Sequence, residues 1–207
     1  GLTGSSSVAT VLSGKDARER PDSGGPAVPV VDLAIIDPEG NEVPRGHTGE
    51  VLIKGPIIMP GYWNKPEATA ETVIDGWLHT GDIGHLDEDG FLFITDRAKD
   101  MIIRGGENIY CVEIEQRLVD NPAVADAAVI GVPHPELGEE VKAVVQVMPG
   151  RSLTEEDVQE WVAETLANFK VPTYVEIIEG KLPRNASGKL LKNVLRGEGE
   201  VSFSETM

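Results

Sequence analysis

A single cysteine, Cys111, rules out an internal disulfide in this chain of 207 residues and leaves no Cys-x-x-Cys pair. With only four histidines besides, no zinc-ligand spacing is present, and metal binding by this chain's own residues is not expected. Long apolar runs are missing too, since none approaches the roughly 18 residues that would cross a bilayer. The opening GLTGSSS lacks the basic and apolar regions of a secretory signal, so no transmembrane segment is expected and the cytoplasm is the expected location. Positive charge is scarce: 18 Lys and Arg stand against 35 Asp and Glu, a formal net charge of -17. That balance would repel a nucleic-acid backbone or an anionic membrane, so no nucleic-acid partner is expected, while a local basic site for a small anion is compatible with it.

What is present, 40% hydrophobic and 26% charged residues, is the mix of an ordinary globular chain of one or two domains. Residues 1–29 are rich in Gly, Ser and Pro without a sustained period, and read as a loop or a segment packed against something elsewhere. Short β-branched and apolar runs at 30–36 and 50–53 are punctuated by Pro38-Glu39-Gly40-Asn41 and Pro44-Arg45-Gly46, the turn chemistry of an antiparallel meander, so a small barrel or sheet is expected. Asn64 with Pro66 and Glu67 marks a short helix over 66–73, and 90–95 returns to strand.

After Asp96 the pattern changes. Cys111, Ile114 and Leu118 share one helical face, 127–132 reads as a buried strand, and Val141, Ala143, Val145 and Val147 alternate as another. Thr154 to Asp157 predicts a capping box ahead of a helix whose stripe is Val158, Trp161, Val162 and Leu166. A third strand is expected at 174–178 and a last helix from about Lys189 to Leu195, ending at Gly197, with GEGEVSFSETM as a solvated tail. The second half is therefore expected to be a compact α+β domain.

Three segments offer polar groups on or beside loops: GWLHTGD (76–82), DRAKDMIIRGGENIYCVEIE (96–115) and PRNASGK (183–189). Asp82 follows Thr80-Gly81, where backbone can approach a ligand, and paired with Arg97 its carboxylate could hold a vicinal diol such as a ribose; a turn aspartate and a surface arginine are the plain alternative. Gly105-Gly106-Glu107-Asn108 follows the apolar Met101-Ile102-Ile103, allowing close backbone approach or simply a hairpin turn. Lys189 ends a small-residue loop that can swing and could bring a charge to a phosphate, or it could be a solvated lysine at a helix start. GLTGSSS lacks the Gly-Lys-[Ser/Thr] ending of a phosphate loop.

In order and spacing these segments resemble the adenylate-forming superfamily of acyl-CoA synthetases, luciferases and peptide-synthetase adenylation domains. Gly1-Leu2-Thr3 resembles the family's Tyr-Gly-Leu-Thr-Glu segment, and GEVLIKGPIIMPGYWNKPEAT (49–69) its next block. The resemblance implies an α+β fold: part of a β-barrel subdomain of the AMP-binding domain at 1–97, a hinge at 98–100 around Lys99, and a C-terminal lid domain at 101–207. It implies that Asp82 and Arg97 hold the ribose hydroxyls of ATP and AMP, with Thr3 near the α-phosphate. Lys189 is implied as the catalytic residue, bridging the substrate carboxylate and that phosphate. After adenylation the lid would rotate about Lys99 and bring Gly105, Gly106 and Glu107 to the tunnel for coenzyme A. Mg2+ is implied with ligands outside this chain, because Gly4 stands where the family has an acidic residue.

The family's phosphate loop ending in Pro-Lys-Gly and most of its acyl pocket precede the part matched here. The chain is therefore expected to be a fragment of a fatty or other carboxylic acid:CoA ligase, inactive without its N-terminal half. The alternatives are an acyl-AMP ligase that loads a carrier protein and a non-catalytic lid or interaction module.

Overall fold

The computed structural model describes residues 1–186 and 188–198, and these form two compact units, one ending at Lys99 and the other beginning at Asp100. Each is a mixture of helix and sheet, and the expected α+β class holds. No helix among the described residues is long and apolar enough to cross a membrane.

The first unit carries α1 (Asp16–Glu19), β1 (Gly25–Pro26), β2 (Asp32–Ile36), β3 (Gly49–Lys54), α2 (Pro66–Thr72), β4 (Val73–Ile74), β5 (Trp77–Leu86) and β6 (Phe91–Arg97). Its sheet is antiparallel in the order β1-β6-β5-β3-β2, with β4 hairpinned onto β5, and is open rather than a closed barrel among the described residues. β3 lies inside the sheet between β5 and β2 and is buried at Val51, Leu52 and Ile53 in succession, because both of its faces are covered. Ile53 packs with Ala9, Val31 and Leu78, and Val51, two residues away on the same face, packs with Ile35, Leu86 and Leu92, while Leu52 is buried on the opposite face beside its register partner Ala34. Ala9 shows that part of the segment before residue 30 finds its packing partner within this unit. The main departure from the sequence reading is β5: after Gly76, the rest of GWLHTGD, with its glycine and polar residues, lies inside a strand of ten residues rather than on or beside a loop.

The second unit runs β7 (Ile102–Arg104), β8 (Glu107–Ile109), α3 (Cys111–Val119), β9 (Val124–His134), β10 (Gly138–Val147), α4 (Glu155–Ala163), β11 (Tyr174–Ile178) and α5 (Lys192–Leu195). β9 and β10 form a long antiparallel hairpin, β11 joins β10 in parallel, and the β7–β8 hairpin meets the end of β10 where Arg104 pairs with Gly138. Ile114 and Leu118 of α3 and Val158 and Val162 of α4 cover Val129, Val141, Ala143 and Val145 on one face of the hairpin. On the other face Leu182, Leu190 and Leu195 cover Ala128 and Val144, which explains why β9 is buried continuously from Ala127 to Gly131. The Thr154 capping box is formed, with Asp157 N donating to Thr154 Oγ1 at 3.1 Å and Thr154 N to Asp157 Oδ2 at 2.8 Å. Such a cap is worth about 1 kcal/mol, whereas burying a valine contributes roughly 1.5–3 kcal/mol. Packing of Val158 and Val162 therefore outweighs the cap in holding α4.

The last helix is shorter than the sequence suggests. Lys189 precedes α5 because Leu190 bridges back to Arg184 and Leu191 N donates to Pro183 O at 2.8 Å, so the stretch is spent on a tight turn before the helix begins. Ser187 and residues 199–207, which include most of the expected solvated tail, lie outside the described residues.

Candidate functional site

The register of β5 brings Asp82 out of the ladder. Glu50 of β3 pairs with Ile83 and Leu52 pairs with His79, so Val51 alone faces Thr80, Gly81 and Asp82. Three residues opposite one must bulge outward. Thr80 Oγ1 donates to Val51 O at 2.6 Å and accepts from Asp82 N at 3.0 Å, which ties both ends of the bulge to one hydroxyl. Gly81 sits at φ +66°, where a Cβ would be strained, and its carbonyl accepts from Ala98 N at 2.8 Å.

On the other side Asp82 is the register partner of Arg97 in β6. Arg97 Nε lies 3.0 Å from Asp82 Oδ1, but its N–H is poorly aligned for a hydrogen bond, so the contact is chiefly one of charge. Arg97 Nη2 donates to Thr80 O at 3.4 Å. Asp82 and Arg97 remain 25% and 38% exposed, accessible to a ligand from solvent. A carboxylate offers several lone pairs and a guanidinium several N–H groups, and side by side they can accept from and donate to two adjacent hydroxyls. Sequence reasoning singled out Asp82 and Arg97 but not Thr80 or Glu50, whose Oε1 accepts the Gly81 N–H at 3.0 Å. Their signal is long-range pairing, which no local pattern carries.

Thr3 is exposed at the start of a single 3₁₀ turn, Thr3–Ser5, with Ser5 Oγ accepting from Leu2 N at 3.1 Å. Gly4 in that turn is buried against β5, and its carbonyl accepts from Met59 N at 2.9 Å. A Cβ at Gly4 would meet both Leu78 methyls at 3.2 Å. A carboxylate stem does not fit there unless Leu78 shifts, and no group of three or more His, Cys, Asp or Glu side chains among the described residues is arranged to hold a metal ion. As the described residues stand, position 4 does not accommodate a magnesium-binding carboxylate.

In the second unit Lys189 is exposed, and its backbone is held in a defined turn. Lys189 N donates to Asn185 Oδ1 at 2.8 Å, Asn185 N donates to Lys189 O at 2.9 Å, and Arg184 joins Gly188 O to Asp126 Oδ2. Anchoring of Leu182 and Leu190 on the sheet fixes the base of this turn while leaving the ammonium in solvent. Gly105 and Gly106, at φ +58° and +90°, form the tip of the β7–β8 hairpin, followed by the exposed Glu107. The hairpin is pinned from β10 and the residue before it, with Gly105 N donating to Leu137 O at 2.8 Å, Ile103 N to Glu139 Oε2 at 2.8 Å, and Arg104 Nε to Glu140 Oε1 at 2.6 Å. Lys99 is exposed at the very end of the first unit.

Glu140 is a side chain only 3% exposed. Burial pushes its carboxyl up, but the Arg104 hydrogen bond and charge, the Val141 N–H and the Thr173 hydroxyl together hold it below the usual glutamate range. A depressed carboxylate contributes stability that is fully present above its unfolded value and is lost as pH falls through its folded value. Amide exchange at Val141, whose N–H donates to Glu140 at 2.9 Å, should report this. Glu140→Gln should speed that exchange at neutral pH, with the difference from wild type shrinking as pH drops below the ordinary glutamate range. A difference that stays constant with pH would mean that the ion pair is not the cause.

Comparison with known proteins matches residues 1–63 to the AMP-binding enzyme family and residues 113–189 to the AMP-binding enzyme C-terminal domain. A feruloyl-CoA synthase of an Amycolatopsis species is 43% identical over 196 residues, which are 95% of this chain and 40% of that protein. A fatty acid–[acyl-carrier-protein] ligase of Streptomyces coeruleorubidus is 46% identical over 172 residues, 83% of this chain and 33% of that protein. The o-succinylbenzoate CoA synthetase of Bacillus subtilis, solved with its acyl-adenylate intermediate, superposes with a TM-score of 0.86 at 36% identity, covering 95% of this chain and 40% of that one. The chain thus spans 33–40% of the length of these relatives.

Proposed function

The chain belongs to the adenylate-forming superfamily, and from that premise we propose that it is the ribose-binding and lid portion of a carboxylic acid:CoA ligase. The observation that carries this reading is the Asp82–Arg97 pair, lifted from the sheet by the bulge opposite Val51 and open to a diol. In the proposed reaction a carboxylate oxygen attacks the α-phosphorus of ATP, the bond to the bridging oxygen breaks, and pyrophosphate leaves. The thiol of coenzyme A then attacks the acyl carbon and AMP departs.

Asp82 and Arg97 hold the ribose through both steps. Thr3 supplies a hydroxyl and backbone turn near the α-phosphate, and Lys189 sets its ammonium against the charge that builds there in the first step. Gly105, Gly106 and Glu107 border the path of the pantetheine arm in the second, and Lys99 is the hinge between domains at 1–97 and 101–207. The phosphate grip, the acyl pocket and any Mg2+ ligands belong to residues outside this chain. The acid is fatty or aromatic, in keeping with the feruloyl and fatty-acid relatives. Loading of a carrier protein in place of coenzyme A is the second reading, favoured by the Streptomyces coeruleorubidus relative, and parallel assays with the two acceptors separate them.

The ribose assignment is testable on the 207-residue chain itself by calorimetric titration. AMP should bind weakly, and 2′,3′-dideoxy-AMP about tenfold or more weaker still, because hydrogen bonds to charged groups are lost. Equal binding of the two nucleotides would remove the ribose role from Asp82 and Arg97.

A further inference from the structure

Asp82 can hold a diol only if its carboxylate is aimed, yet the residue before it is a glycine, the one type whose backbone resists aiming. Gly81 lies at φ +66° in open space, with the nearest atom to a built Cβ, Arg97 Nη2, 4.0 Å away. The bulge has taken the Gly81 N–H off the β3 ladder, and on the main chain only its carbonyl is held, accepting from Ala98 N at 2.8 Å. One side chain supplies the constraint missing on the N–H side. Glu50 Oε1 accepts the Gly81 N–H at 3.0 Å, and Glu50 Oε2 lies 3.1 Å from His79 Nδ1, so a single carboxylate grips β5 on both sides of Thr80. An ionised carboxylate only accepts, so His79 Nδ1 carries the proton in this pair. Both side chains are about three-quarters buried, at 26% exposure each, and Glu50 occupies the register position directly opposite Ile83, one residue past Asp82.

We propose that Glu50 is a positioning residue for nucleotide binding, acting through Gly81 and His79 to aim the Asp82 carboxylate at the ribose. This rests on the ribose reading of Asp82 and Arg97. Glu50 touches no ligand itself. Its bidentate grip converts a flexible glycine into a fixed hinge of the site, so its loss leaves the fold in place while Asp82 samples directions that no longer meet both hydroxyls. Glu50→Gln should substitute, because its amide oxygen can accept from Gly81 N–H and its amide nitrogen can donate to His79 once the ring proton moves to Nε2.

The test combines AMP affinity with amide exchange at Gly81 and Asp82, measured by NMR on the full 207-residue chain. Glu50→Ala should lose exchange protection at Gly81 and bind AMP about tenfold more weakly, the range expected for a lost charge-assisted hydrogen bond. Glu50→Gln should restore affinity to within about threefold of wild type. Glu50→Asp keeps the charge but shortens the reach by one methylene, and it should behave like Ala; it carries the comparison if the Ala variant does not fold. Wild-type affinity in folded Ala and Asp variants would overturn the proposal, as would a Gln variant no better than Ala. If wild type fails to distinguish AMP from 2′,3′-dideoxy-AMP, the ribose reading falls and this inference with it. If wild type does distinguish them and the Glu50 variants change exchange but not affinity, only the positioning role is refuted.

Discussion

Replacing Lys189 by Ala in the full-length ligase proposed here should cut acyl-AMP formation about a hundredfold or more, the usual loss when one preorganised charge contact is removed from a developing oxyanion. Conversion of supplied acyl-AMP to acyl-CoA should be nearly unchanged, because in the proposed cycle the lid has by then rotated about Lys99 and carried Lys189 away from the phosphate. The structure makes this variant a clean one. The turn around Lys189 is held by backbone, by Asn185 and by Arg184, none of which involves the ammonium, and the packing beneath comes from Leu182 and Leu190. Truncating an exposed side chain there should leave the turn standing. A merely structural lysine predicts a different pattern, in which both half-reactions fall together in proportion to lost folded protein. Separate rates on a variant shown by thermal melting to be folded decide between the two.

Lys99→Pro should have the opposite signature, sparing adenylation and abolishing thioester formation. Proline fixes φ near −65° and removes the N–H, so a residue whose torsions must change between the two steps is trapped in one state. Among the described residues the Lys99 N–H has no hydrogen-bond acceptor, and the side chain is exposed, so neither is a source of lost stability. Equal loss of both half-reactions would count against Lys99 as the hinge.

Much of the second unit was legible in the sequence because its signals are local. Cys111, Ile114 and Leu118 repeat at helical spacing and all lie buried in α3, and the Thr154 capping box forms with the reciprocal bonds its spacing predicts. Asp82 and Arg97 could be paired in advance, and the structure sets them 3.0 Å apart. The failures have one physical source. β5 contains Gly81 and Gly84 among polar residues and looks like a turn region, but its pairing with β3 and β6 on either side overrides local composition. Glu50 looks like an unremarkable strand start, and its partners Gly81 and His79 are 31 and 29 residues away. The last helix was read as too long because Lys189 to Leu191 resembles a helix start, whereas pairing with Pro183 to Asn185 consumes those residues.

The central claim, that these residues serve an enzyme that activates a carboxylic acid as its adenylate, is tested most directly by carboxylate-dependent exchange of pyrophosphate into ATP. The measurement requires the full-length protein, with Asp82→Ala as the control. Exchange that depends on a fatty or aromatic acid, disappears in the control, and gives way to AMP release when coenzyme A is added is the predicted result. Absence of exchange with every acid in a panel spanning short-chain, long-chain and aromatic carboxylates, by a folded protein that still binds ATP, would contradict it.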